Sequence, residues 1–338
     1  MNQQQIAEKL GISQASVSIV LNNPLTRKVS SDKRQQILNY LRQANYLSPN
    51  HDGKTGNIGY LFPAIGEIPY NSFYERFITG IEKAAQSGGY SLVIEKYKKD
   101  ATVLPGGKFD GAIIEGISSA NMVNRQFDNI PIVVLNKELS REIHCDSVFP
   151  DNVGGVEIAL NYLKEMGHSK IAYFAIGMPD DNTAEINYWQ RLNAFRNLCW
   201  KLQFDLRDGY IQLPKCELPT LAATERKIRE TLILWSKLPE PPTAVLCCND
   251  TYALWMIRQA SLLGMKIPET LSIIGIDNIT PGEFSFPALT TIDHNAEEMG
   301  RLSAEALIKR IQQPERPSLR MSCNASLVIR ESVADLNQ

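Results

Sequence analysis

Residues 244–252, Ala244-Val245-Leu246-Cys247-Cys248-Asn249-Asp250-Thr251-Tyr252, read as a strand that ends and a helix that begins. Five apolar residues in succession are too few for a helix and too continuous for a strand with one wet face. Positions 244–248 therefore predict a strand buried on both sides. From 252 to 263 the apolar residues recur at helical spacing instead. The alternation repeats along the chain: runs at 58–62, 92–94, 112–114, 132–135, 171–176 and 273–276 predict further strands, and 73–85, 156–166 and 191–202 predict amphipathic helices. Short parallel strands alternating with helices predict two doubly wound α/β subdomains, with a ligand crevice at the carboxyl ends of the strands. A chain of 338 residues has room for both and for a smaller unit besides.

The smaller unit is all-α and lies at the N-terminus. Ile6, Ala7 and Leu10 share one helical face before Gly11, and Ser13 is a good N-cap for a second helix striped by Val17, Val20 and Leu21. A third helix carries Ile37, Leu38 and Leu41. Helix, Gly-containing turn and helix predict a helix-turn-helix whose second helix enters the DNA major groove, although a plain three-helix cap fits the periodicity equally well. Charge separates along the chain in the same sense. The whole sums to −2, but residues 1–50 hold six basic against two acidic side chains, leaving −6 on the remainder. A basic footprint of this kind suits nucleic acid. The helix face away from Val17 and Val20 offers Gln14, Ala15, Ser18 and Ile19, with Ser13, Ser16 and Asn22 toward its margins. Hydroxyls and amides suit phosphate oxygens, Gln14 suits an adenine edge, and Ile19 suits a thymine methyl.

Taken together, Ile6-Ala7, Gly11-Ile12-Ser13-Gln14-Ala15-Ser16-Val17-Ser18, Val20-Leu21-Asn22, Val29-Ser30, Tyr46 and Pro49-Asn50 resemble the headpiece of the lactose- and galactose-repressor (LacI/GalR) family. The likeness continues in family order through Asn71-Ser72-Phe73-Tyr74, Phe109-Asp110-Gly111, Asp151-Asn152-Val153-Gly154-Gly155, Gly167-His168, Asn249-Asp250, Ile274-Gly275-Ile276-Asp277-Asn278, Pro287-Ala288-Leu289-Thr290-Thr291-Ile292 and Val328-Ile329-Arg330-Glu331-Ser332. The resemblance implies a periplasmic-binding-protein-like body with three crossovers. Residues 1–49 are then the headpiece, 50–57 a short linker and 58–338 the body, its N-subdomain near 58–151 and 293–316 and its C-subdomain near 152–292 and 317–332. The implied function is a cytoplasmic, effector-responsive transcriptional regulator, most often a repressor. Its implied partners are a palindromic double-stranded operator, a small-molecule effector and a second copy of the chain.

Family positions matching Gln14, Ala15 and Ile19 read bases, and those matching Ser13, Ser16, Ser18 and Asn22 hold the backbone. Many members carry Arg where this chain has Ile19, so the operator sequence does not transfer. The implied effector cleft is lined by Asn71, Phe73, Asn136, Arg191, Asn249 and Asp277. That set suits a sugar or sugar-derived molecule: forked donors and acceptors meet adjacent hydroxyls, and Phe73 covers C–H surface. Phe73 also continues the Phe77, Ile78 and Ile81 stripe, so core packing fits it equally well. Asn136 stands where many sugar-responsive members have Asp, which turns an acceptor into a donor and acceptor.

Two segments depart from the family. Residues 50–57 carry Gly53 and Gly56 and lack the apolar wedge of the usual hinge helix, which predicts weaker DNA bending. Positions 96–108 leave little room for a crossover helix, and no Leu heptad follows Ser332, so a dimer rather than a tetramer is expected. Other classes find little support. No phosphate-binding glycine loop is present, and His51, His144, His168 and His294 have no metal-ligand spacing, although His294 follows a strand that ends near the cleft. Cys247-Cys248 reads as buried strand, and no run approaches the roughly 20 residues of a membrane span. No catalytic residue, cofactor, metal or membrane contact is expected. The alternative from another class is a receptor-like binding protein whose head has lost specific DNA binding.

Overall fold

The structure is a computed structural model that describes residues 3–22, 28–43, 55–63, 72–97, 109–115, 130–138, 145–176, 186–215 and 220–337. Residues 50–54 of the linker, 98–108 of the short crossover, and Asn71 lie outside these. The chain divides into two compact units. The first comprises Met1–Ala64, Gly80–Val148 and Arg301–Arg320, and the second Ile65–Thr79, Phe149–Gly300 and Met321–Gln338.

The described residues of the head form three helices, α1 (Gln3–Leu10), α2 (Gln14–Asn22) and α3 (Ser31–Gln43). Ile6, Val17, Val20, Ile37 and Leu41 are fully buried together, so the apolar stripe read from each helix meets the other two. Gly11 takes φ +62 in the turn between α1 and α2, a left-handed conformation that glycine reaches without a Cβ penalty. Ser13 caps α2 by accepting the Ser16 N–H at 3.2 Å.

The first sheet is built from β1 (Asn57–Pro63), β2 (Ser91–Tyr97), β3 (Gly111–Glu115), β4 (Ile132–Leu135), β5 (Asp146–Pro150) and β11 (Arg320–Cys323), in the order β11-β5-β4-β3-β1-β2. Strands β1 to β5 pair in parallel. The second sheet is built from β6 (Ile171–Phe174), β7 (Ile211–Gln212), β8 (Ala244–Cys247), β9 (Ser272–Ile276), β10 (Thr290–Asp293) and β12 (Ser326–Val328), in the order β12-β10-β9-β8-β6-β7. Only β12, on its edge, is antiparallel to its neighbour β10. Each order reverses direction beside β1 or β6, as in doubly wound sheets, and β3, β4, β6, β8 and β9 are buried throughout.

Beyond the head, the described residues form the helices α4 (Ser72–Ser87), α5 (Asn152–Glu165), α6 (Ile186–Leu202), α7 (Leu221–Ser236), α8 (Asp250–Leu262), α9 (Thr280–Glu283) and α10 (Ala296–Gln312). The second sheet is covered on one face by Val156, Leu160 and Leu163 of α5 with Leu192 and Phe195 of α6. Its other face is covered by Ile228, Leu232 and Trp235 of α7 with Met256 and Ile257 of α8.

One close approach is a test of this packing. A Cβ at Gly300 in α10 would stand 2.2 Å from the carbonyl oxygen of Phe77 in α4, and a backbone oxygen cannot swing aside. Gly300→Ala is expected to cost about 1–3 kcal/mol, read from the urea midpoint at unchanged m-value.

Candidate functional site

The centre of the second unit is Arg191. Its side chain is only 3% exposed, yet every arm of the fork has a partner. Nε donates to Asn152 Oδ1 at 2.8 Å, Nη1 to the Cys248 carbonyl at 2.6 Å and Nη2 to Asp277 Oδ1 at 3.3 Å. Cys248 follows β8 and Asp277 follows β9, so the guanidinium closes over the carboxyl ends of two neighbouring strands. Asn152, the first residue of α5, is itself fixed by donating Nδ2 to Asn187 Oδ1 at 3.0 Å and Gln190 Oε1 at 2.7 Å. Burial alone pushes the Arg191 pKa down, but the facing Asp277 carboxylate, helped by Cys248 and two tyrosines, outweighs it and holds the group above its ordinary value. A cation is thus kept in a dry setting by one carboxylate and several oriented dipoles.

Asn249 sits one residue beyond Cys248 in extended backbone. Its Oδ1 caps α8 by accepting the Tyr252 N–H at 2.9 Å, and its Nδ2 donates to the Tyr188 hydroxyl at 2.7 Å. Asp277 and Asn278 then take left-handed backbone in succession, at φ +117 and +48. Asn tolerates that region; φ +117 lies beyond it and strains the backbone by about 1–3 kcal/mol.

Beneath the turn lies Asp250, fully buried, which accepts the Thr291 hydroxyl at 2.6 Å and the Ile279 N–H at 2.9 Å. Burial first and the Asp277 charge second raise its pKa to about 7, against the pull of those two hydrogen bonds and of Arg330. A Cβ at Gly275 would stand 2.0 Å from this carboxylate, which is why the strand carries glycine there. Behind Arg191, His294 is buried with neither ring nitrogen hydrogen-bonded. Burial and the Arg191 charge hold its pKa well below the ordinary value, so the ring is neutral.

Asn136 belongs to the first unit. It ends β4 at φ +62, a left-handed position that suits Asn, and donates Nδ2 to Glu115 Oε1 at 3.0 Å. The Tyr60 hydroxyl donates to the other oxygen of that buried carboxylate at 2.7 Å. The carboxylate that Asn136 lacks stands instead at the end of β3, as Glu115. Phe73 is buried edge-on against Phe77, ring centroids 4.7 Å apart, and presents no open aromatic face. This burial fits core packing, one of its two sequence readings.

In the head, Ser13, Gln14 and Ala15 are exposed at the start of α2, while Ser16, Ser18 and Ile19 are half-buried and Val17 and Val20 sealed. Ile19 leans on the head core rather than standing free. Asn22 ends the helix. Among the described residues no three His, Cys, Asp or Glu side chains are grouped to hold a metal, and no helix is long and apolar enough to cross a membrane.

A periplasmic binding protein-like domain matches residues 160–333. The HTH-type transcriptional repressor PurR of Histophilus somni (strain 129Pt) is 29% identical over 355 residues, 98% of each chain. The HTH-type transcriptional repressor CytR of Escherichia coli (strain K12) is 30% identical over 356 residues, covering 98% of this chain and 96% of that protein. The chain belongs to the LacI/GalR family. Its fold also matches the crystal structure of a LacI family transcriptional regulator from Enterococcus faecium with bound ribose, at TM-score 0.67 and 25% identity, over 83% of this chain and 99% of that one.

Within this LacI/GalR-family chain, the expected Arg191, Asn249 and Asp277 converge and Asn136 stands in its own cluster. The sequence alone does not mark Asn152, Tyr188, Glu115 or Asp250 as site residues. Asn152 lies in the family-like segment Asp151–Gly155 and Asp250 beside Asn249, but their partners Arg191, Ile279 and Thr291 lie far along the chain.

Proposed function

We propose that this LacI/GalR-family repressor reads a palindromic operator as a cytoplasmic homodimer and releases or grips it in response to a sugar or sugar-derived effector. DNA meets Ser13, Gln14, Ala15 and Asn22 and the outer parts of Ser16, Ser18 and Ile19. The effector meets the rim formed within the second unit by Asn249, Asp277 and Tyr188, with Arg191 holding that rim.

The observation that carries the DNA assignment is the split of α2, whose valines lock it into the head while Gln14 and Ala15 are free at its N-terminal end, the part of a recognition helix that reaches base edges. For the effector, the ribose-bound relative and the hydroxyl-matching donor and acceptor set favour a polyol.

Sites recovered from a random DNA pool by the full chain should be two half-sites related by a twofold axis. Gln14→Ala is expected to weaken binding to the selected site by about 1–3 kcal/mol while leaving binding to unrelated DNA unchanged, since a base contact specifies and phosphate contacts do not. Fluorescence anisotropy across a salt series separates the two. Equal loss on both DNAs removes Gln14 from base reading, and recovery of no preferred sequence favours the receptor-like alternative.

A further inference from the structure

Arg76 lies on α4, and no sequence signal marked it. Its fork takes both oxygens of Asp293, Nη1 to Oδ1 at 3.0 Å and Nη2 to Oδ2 at 2.8 Å. Nη1 also lies 3.4 Å from the carbonyl oxygens of both Asp277 and Asn278, at the outer limit of a hydrogen bond. Asp293 in turn accepts Asn278 Nδ2 at 2.9 Å and the Asn295 N–H at 2.7 Å. The left-handed Asp277–Asn278 pair is thus tied to Arg76 twice, weakly through its own carbonyls and strongly through Asp293.

The other braces on the turn come from its own sheet and the segments packed on it. Asp277 N–H donates to the Ile292 carbonyl at 2.8 Å, Asn278 N–H to Thr291 Oγ1 at 3.3 Å, and Arg330 donates to Asn278 Oδ1 at 2.9 Å. These fix where the turn starts and where the Asn278 side chain rests. Arg76 Nη1 lies against the two carbonyl oxygens themselves, whose direction decides the peptide planes and hence where the Asp277 side chain leaves the backbone. Strained φ values persist only when their surroundings over-determine them.

We infer that Arg76 is a positioning residue: through Asp293 and the Asp277–Asn278 carbonyls it holds the strained turn, and so aims the Asp277 carboxylate at Arg191 and the effector rim. The inference rests on the effector site proposed above for its purpose, but not for its test. The Arg76 side chain is 25% exposed, so replacing it leaves no sealed cavity.

Hydrogen exchange of the full chain without ligand reads the brace directly. Arg76→Met is expected to speed exchange of the Asn278 and Ile279 amides about tenfold, with the β8 amides unchanged, because a charge-assisted link to a locally opening segment is lost. Arg76→Lys, which keeps the charge on Asp293 without the fork, is expected to restore part of that protection. Asp293→Asn should reproduce the Arg76→Met pattern. Unchanged exchange at Asn278 and Ile279 overturns the inference. So does faster exchange across β8 and β9 alike, which makes Arg76 a general stability residue. Failure of the effector site leaves these exchange rates untouched, so the two ideas fail separately.

Discussion

Arg191→Ala is expected to destabilise the second unit by about 3–5 kcal/mol and to abolish the response to effector together. The energetic part follows from what the fork leaves behind. Asp277 keeps a buried negative charge without its cation, Cys248 keeps a carbonyl without its donor, and Asn152 loses the partner of its Oδ1. The penalty is that of an unpaired buried charge, not the net worth of the ion pair, so the sign of a second substitution is fixed in advance. Arg191→Ala with Asp277→Asn should be more stable than Arg191→Ala alone, since the stranded charge is gone. Arg191→Lys should fall between wild type and alanine: one ammonium cannot reach a side-chain amide, a strand-end carbonyl and a carboxylate in one plane. Urea unfolding gives the first three values. A thermal-shift screen of pentoses, hexoses and nucleobases gives the rest, because a compound that shifts wild type should not shift the alanine variant. A variant within about 1 kcal/mol of wild type denies Arg191 its place as the hub, and an undiminished ligand shift denies the site.

The strands that carry the site were legible because their sequences are apolar on both faces: the runs at 132–135, 244–248 and 273–276 announce burial without any partner being known. β5 was not. Its sequence Asp146-Ser147-Val148-Phe149-Pro150 has no apolar run, yet Asp146 is fully buried because Arg310 and Arg316 neutralise it and the Leu319 N–H donates to it at 2.7 Å. Those partners lie more than 160 positions away, beyond any local pattern. The site divides the same way. Arg191, Asn249 and Asp277 were named from segments resembling the family, while Glu115 was hidden because a buried carboxylate at the end of β3 makes sense only once Tyr60 and Asn136 stand beside it. Arg76 looked like any helix cation until Asp293 was found against it. Periodicity reports which face is buried; it does not report which distant polar group makes burial tolerable.

The stability of this protein is expected to fall as pH rises toward neutrality, and Asp250 is the cause. Its carboxyl titrates at about 7 in the folded protein against 3.8 for the free side chain, so between those values the folded chain holds a proton that the unfolded chain has released. Stability from this group is complete below about pH 4, declines as pH rises and is fully lost above about pH 7, a loss on the order of 4 kcal/mol for a carboxyl moved between those two values. An ion-paired aspartate behaves oppositely, because its cation lowers its pKa. Here burial dominates and the neighbouring Asp277 carboxylate adds to it, while hydrogen bonds from Thr291 and Ile279 are too few to compensate. Arg191 cannot relieve it, being committed to Asp277. Asp250→Asn removes the titration but keeps a polar group able to accept one of the two hydrogen bonds. Its unfolding free energy should therefore be flatter than wild type between pH 5 and 8, with the advantage over wild type growing as pH rises. Urea unfolding at several pH values in a constant-ionic-strength buffer measures both slopes. Parallel slopes mean that Asp250 is ionised throughout that range in the fold, and that the dry floor beneath the Asp277 turn is wetter than its packing shows.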